Sequence, residues 1–424
     1  MPNPSAKPRT RPRATPIAPE ARPSLRAYLG GNFGLTFSNG VQNVLLGWLV
    51  AHELGESGSS VGLIMAALML PNLALSLLGG FLSDRFDPQK LLPGLNLLAA
   101  GCVLTLIGAV ASGRLNFSVV LLFALAVGAL TAFIAPARDA LMSRVAGGAL
   151  PRVVPLAFTA NYVGQLLGAL VAGMTERVGA VAALEVQAGA LVLAAACFAK
   201  ARPVQAHTGR IATHNPLHEI RAAWQQVRAS PPLRTALAMM VVIGLTLGGT
   251  YVPLMTMMTR DVYHGGSLEL SLGLAAMMVG TTSGSLFLSI IGGLRCQGVA
   301  LLVGLTGASL ALGAFALEPT FPGALVLSFV WGLSGAIGMV MTRTISQENA
   351  SETHRARVLS LFHLALTGSA PAGSLAIGWV IDHLGAATAG IVPGTALLVA
   401  VLIAATTSSL PRVESIGLNA PPRA

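Results

Sequence analysis

Apolar residues in this chain neither alternate with polar ones nor recur at every third or fourth position; they run on. Twelve apolar stretches follow one another at approximately 27–51, 60–83, 91–112, 117–137, 153–174, 178–199, 235–259, 268–291, 297–317, 321–344, 357–381 and 386–409. Each offers about the 20 residues that a helix needs to cross the hydrocarbon layer of a membrane. A strand barrel would show polar–apolar alternation instead. The pattern predicts an all-α integral membrane protein with twelve transmembrane helices. The longest polar interval, 200–234, parts them into two halves of six.

Composition narrows the class further. Hydrophobic residues make up 54% of the 424 and charged residues 10%, against about 25% charged in a soluble domain. So few charges cannot cover a water-facing surface. Three cysteines exclude a disulfide scaffold. The net charge of +10 reads as lipid contact and loop charge rather than as a nucleic-acid surface. Twelve crossings put all but Arg114, Arg177 and Arg260 of the 26 Lys and Arg residues on one side. The positive-inside rule makes that side the cytoplasm and places both termini there. This predicts a multi-pass protein of the cell inner membrane.

Residues 1–26, with Lys7, Arg9, Arg11 and Arg13, lack the apolar core and cleavage site of a signal peptide and read as a disordered basic cytoplasmic tail. Residues 27–199 form the first half, 200–234 a cytoplasmic linker, 235–409 the second half and 410–424 a cytoplasmic tail. In the linker Leu217, Ile220, Trp224 and Val227 share one helical face, opposite Arg221, Gln225 and Arg228. That is an amphipathic helix, either on the inner leaflet or as a solvated connector. The halves also echo one another. Arg138, Arg144 and Arg152 precede the fifth stretch as Arg343, Arg355 and Arg357 precede the eleventh, and both stretches are dense in small residues. Duplicated six-helix units are a transporter architecture.

The interval between the second and third stretches reads Gly79-Gly80-Phe81-Leu82-Ser83-Asp84-Arg85-Phe86-Asp87-Pro88-Gln89-Lys90. Its glycines let a neighbouring helix approach, and Asp84 can accept hydrogen bonds from a helix N-terminus. Through Gly80, Leu82, Asp84 and Arg85 it resembles the signature loop of the major facilitator superfamily, with Asp87 for the usual Gly and Pro88-Gln89 for the usual basic pair. Ser60-Val61-Gly62-Leu63, Pro71, Pro136-Ala137-Arg138 and Arg355-Ala356-Arg357-Val358-Leu359-Ser360 resemble the enterobactin-exporter and macrolide-efflux-like branch. The resemblance spans the membrane region. It implies the major facilitator fold of two pseudo-symmetric six-helix halves and a conformational latch made by Gly80, Asp84, Arg85, Arg138, Arg355 and Arg357. It also implies that helices 2 and 11, and 5 and 8, cross between the halves. Small residues four apart, Gly164/Gly168, Gly244/Gly248, Gly280/Gly284 and Gly368/Ala372/Ala376, are then either sliding surfaces or static packing faces.

Polar groups inside a bilayer tend to face a cavity or the bundle interior. Asn39, Gln42, Asn43, Asn72, Asn161, Gln165, His363 and Thr367 are the candidate substrate-cavity residues. Glu185, eight residues past Arg177 and so about 12 Å deep, and His363 are the candidate proton-coupling groups. There is no phosphate-binding Gly-Lys-Ser/Thr loop, no nucleophile–base arrangement and no metal-ligand cluster. The expectation is a monomeric transporter rather than an enzyme, without cofactor or metal, powered by the proton gradient and meeting only lipid and a small-molecule substrate. The leading function is proton-coupled export of a siderophore or drug. The alternatives are an uptake carrier for a small metabolite, which would need cavity charges if its cargo is charged, and a transport-deficient membrane sensor.

Overall fold

The computed structural model describes residues 22–146, 149–202, 224–291, 294–351 and 355–413, without the side chains of 76–85, 151 and 356. Its long helices are α1 (Arg22–Trp48), α2 (Gly58–Arg85), α3 (Pro88–Ala111), α4 (Phe117–Ala146), α5 (Leu150–Ala172) and α6 (Ala180–Lys200) in the first half. The second half holds α7 (Pro231–Asp261, with a π turn at Gly244–Gly248), α8 (Ser267–Ile291), α9 (Gln297–Ala314), α10 (Phe321–Asn349), α11 (Arg355–Leu384) and α12 (Ile391–Thr407). No strand occurs among the described residues.

Eleven of these helices are long and apolar enough to cross a membrane. The other is α1, whose Asn32, Thr36, Ser38, Asn39, Gln42 and Asn43 lower its hydropathy. The physical reason is its placement. It packs on α5 and α6 inside the bundle, so polar side chains meet protein rather than lipid.

Several helix ends differ from the apolar limits. α1 starts at Arg22, ahead of residue 27, because Pro23 fits a first helical turn. α4 continues to Ala146, past residue 137, because a helix keeps satisfying its backbone after the apolar layer ends. The prolines at 71, 93, 136, 155 and 371 sit inside helices, which neighbouring helices in a bundle tolerate. Residues 1–21, the linker from 203 to 223 and residues 414–424 lie outside the description. Of the proposed linker helix, 224–229 are helical, with Val227 buried and Trp224 exposed.

Packing repeats with a shift of six helices. α1 packs on α5 as α7 does on α11, α2 on α4 as α8 on α10, α3 on α6 as α9 on α12, and α3 on α4 as α9 on α10. Across the halves α2 meets α11 and α5 meets α8. The seams inside the halves are glycine-lined. A Cβ at Gly40 would run into the Gln165 carbonyl, and one at Gly168 into that of Phe37, between α1 and α5. Gly249 and Gly373 do the same between α7 and α11.

This assigns the spaced small residues. Gly164 and Gly168 face α1, Gly244 faces α11, and Gly280 and Gly284 face α10, all within one half. These are packing faces inside a half, whereas Gly368 of the Gly368/Ala372/Ala376 set faces Leu73 of α2 across the halves. The close approaches across the halves include Gly58, Gly62 and Gly378 between α2 and α11, Gly47 against Thr256 of α7, Gly173 against Ser271 of α8, and Gly266 against Glu176.

Candidate transport pathway

At the end where α1 begins and α12 finishes, the backbone of the signature segment closes α2 as helix. The side chains of Gly80, Asp84 and Arg85 lie outside the description. Asp87 has a definite role there. It caps α3, its carboxylate accepting from the Gln89 N–H at 3.2 Å, with Pro88 in the first turn. The same Oδ1 accepts from Arg144 Nη1 of α4 at 2.7 Å. Gln89 Nε2 donates to the Ala199 carbonyl of α6 at 3.2 Å. Asp87, where the family usually has Gly, therefore ties the loop to α4. Arg355 and Arg357 open α11, the first exposed and the second half-buried.

Because α4 runs on to Ala146, Arg138 lies two turns inside the helix and lines a cavity within the first half. That cavity lies among α1, α3, α4 and α6. Ser38, Asn39 and Gln42 of α1 and Thr131 of α4 share its wall with Arg138. Gln42 is buried and accepts from Gln187 Nε2 of α6 at 3.2 Å.

Of the amides predicted to line a cavity, Asn39 and Gln42 do so. Asn43, Asn72, Asn161 and Gln165 are half-buried and line no part of it. Thr367 donates back to the His363 carbonyl at 2.9 Å, so its proton is engaged in its own helix. His363 is exposed on α11. Glu185 is exposed on α6, whose buried face carries Leu184, Gln187 and Leu191 instead. The buried polar residue of α6 is Gln187, two positions from the carboxylate that drew attention in the sequence.

At the far end the two halves are bonded together. Asp382 Oδ2 of α11 accepts from the Ser57 hydroxyl and from the Ser59 N–H, both at 3.0 Å, and so caps α2 from the other half. Ser374 Oγ donates to the Gly62 carbonyl at 3.0 Å. Arg260 of α7 donates to the carbonyls of Ala51 (3.0 Å) and Glu56 (2.6 Å). Glu176 Oε1 accepts from Trp48 Nε1 at 3.3 Å and from the Ser267 N–H at 3.2 Å. Ser267 and Ser271 of α8 donate to the carbonyls of Gly173 (3.0 Å) and Ala169 (2.8 Å). In the turn between α7 and α8, burial pushes the Tyr263 hydroxyl up to about 12, and the Glu318 charge adds to the rise. It is a neutral group packed edge-on to Phe321.

The family model of the Major Facilitator Superfamily matches residues 28–296. The chain belongs to the Major Facilitator Superfamily. Solved superfamily-like transporters share its fold at low identity. The nucleoside transporter NupG aligns at 13% identity over 89% of this chain and 97% of its own, with a TM-score of 0.72. A bacterial homologue of the human lysosomal transporter Spinster aligns at 14% identity over 93% and 96%, with a TM-score of 0.68. A curated relative, described as a probable sulfoacetate transporter, SauU, of Cupriavidus necator, is 36% identical over 80 residues. That match takes in 19% of this chain and 18% of SauU. These likenesses support membership of the superfamily as a whole and do not single out the exporter branch.

Proposed function

We propose that this superfamily transporter is a proton-coupled carrier that takes up a small metabolite by alternating access, with both termini in the cytoplasm of a cell whose inner membrane it spans. The observation that carries the uptake reading is Arg138 in the wall of the first-half cavity. An uptake carrier for a charged metabolite needs a charge in its cavity, and Arg138 supplies one. The relative SauU, named for a small organic acid, points the same way. The bonded far end and the six-helix repeat support alternation, since opening that end needs only the contacts between halves to break while each half moves as a body.

For coupling we favour His363 over Glu185. α11 packs on α2 across the halves, so a charge on it can bias their arrangement; α6 packs on α1 and α3 of its own half. Right-side-out membrane vesicles with an imposed inward proton gradient provide the test. At least one labelled small acid, with sulfoacetate in the panel, accumulates, and His363→Gln removes the gradient's effect while Glu185→Gln keeps it. Ethidium extrusion without acid accumulation would overturn uptake in favour of export.

Reporter fusions address orientation. Fusions within 203–223 and after residue 413 report cytoplasm; a periplasmic signal from either would refute the proposed topology.

A further inference from the structure

We infer that the cavity in the first half is an anion-binding site, and that the metabolite carried is a small organic anion whose acid group pairs with Arg138. The word "carried" rests on the transport reading above; the site itself does not. Positions 127, 131, 134, 135 and 138 fall on one face of α4, and 35, 38, 39 and 42 on one face of α1, and these two faces form most of the cavity wall, with α3 and α6 closing it.

The polar groups of the wall are Arg138, Gln42 and Asn39, which offer N–H donors, beside the hydroxyls of Ser38 and Thr131. Arg138 gives its Nε to Asp139 Oδ1 at 3.2 Å. Asp139 is the next residue in the chain and its side chain is 62% exposed, so water screens much of its charge. Both Nη groups of Arg138 lack a protein partner among the described residues. Gln42 has its carbonyl engaged by Gln187, which leaves it an amide NH₂ to offer. Asn39 has no side-chain partner among the described residues.

The rest of the wall is apolar, with Val103, Val127, Ile134 and Leu191. Low-dielectric walls strengthen a charge pair and make an unpaired cation unfavourable. A guanidinium presents two parallel donors that match a carboxylate or sulfonate. The apolar wall suits a short carbon skeleton. A neutral amphipath would leave both Nη groups of Arg138 without an acceptor.

The full chain in nanodiscs is titrated with acetate, malonate and methanesulfonate, each beside its neutral counterpart acetamide, malonamide and dimethyl sulfone, with thermal unfolding as readout. At least one anion stabilises the protein saturably and its neutral counterpart does not. Arg138→Gln weakens that anion at least tenfold, and Arg138→Lys, which keeps the charge and loses the fork, weakens it by less. Equal stabilisation by the neutral compounds, stabilisation by no anion of the panel, or an anion effect unchanged in Arg138→Gln would overturn the site. If Arg138→Gln does not fold, the Lys variant decides: affinity equal to the parent for every anion refutes forked pairing at Arg138. Counterflow of the same anions in proteoliposomes separates the two readings. Binding without counterflow leaves the site standing and removes the transport reading; counterflow of neutral compounds alone, without anion binding, does the reverse.

Discussion

Gly40→Val leaves little folded protein in the membrane. The added Cβ would sit on the Gln165 carbonyl and against the Ala169 nitrogen of α5. Both are backbone atoms of a helix and cannot swing aside as a side chain would. Gly164 and Gly168 close the same seam from the α5 side, onto Phe33 and Phe37, so α5 cannot retreat without opening the whole α1–α5 contact. Ordinary overpacking of a core costs about 1–3 kcal/mol. Here the clash is backbone to backbone, and the cost exceeds that range, a large part of a typical stability of about 5–15 kcal/mol. Fluorescence size-exclusion of a tagged chain should show the monodisperse peak reduced at least tenfold. Gly101→Val on α3, where an added Cβ meets nothing within 4 Å, should leave the peak near the parent's. A normal peak for Gly40→Val would mean that α1 and α5 do not approach as closely as the structure shows.

Asp382→Ala keeps the protein folded and shifts its conformational balance. The carboxylate joins the halves only while the far end is closed, through the Ser57 hydroxyl and the Ser59 N–H at 3.0 Å. It also satisfies an orphan donor at the start of α2, where the helix dipole favours an anion. Hydrogen bonds to a charged group contribute about 1.5–3 kcal/mol each when buried. These are solvent-exposed, so the pair together is worth roughly 1–2 kcal/mol. That loss falls on one state alone and moves the equilibrium toward an open far end about tenfold. Spin labels at Arg114 and Leu317, exposed on the far end of either half, should show a longer-distance population that the parent lacks. Transport should fall as well, while thermal stability changes little. Identical distance distributions in the two proteins would show that Asp382 does not hold the far end.

Much of this was legible before any coordinates. A run of about 20 apolar residues can lie only along a membrane-spanning helix, so all twelve spans could be read, α1 included despite its amides. The helix ends were less legible, and the error at α4 mattered most. Reading Arg138 as a loop charge followed from the end of the apolar run at residue 137, yet the helix goes on to Ala146 and carries Arg138 into a cavity wall. Glu185 was conspicuous as a lone carboxylate within a span, but which face of α6 is buried depends on α1 and α3, and that face holds Gln187. The spaced glycines announced close approach without naming the partner. The contact of Asp382 with Ser59 joins residues 323 positions apart, and nothing local to either end hints at it.

The sequence by itself determined that the chain spans a membrane, where it does so, and that six spans are followed by six more. Hydropathy acts on each segment separately, so these properties can be read one stretch at a time. Tertiary structure decided which small-residue faces join helices within a half and which join the halves, that Asp87 anchors the signature loop to Arg144, and that Arg138 faces a cavity. Each of these turns on a partner distant in the chain. Helices in lipid find partners through close packing and a few hydrogen bonds rather than through hydrophobicity, and the spaced small residues that mark a packing face do not name its partner.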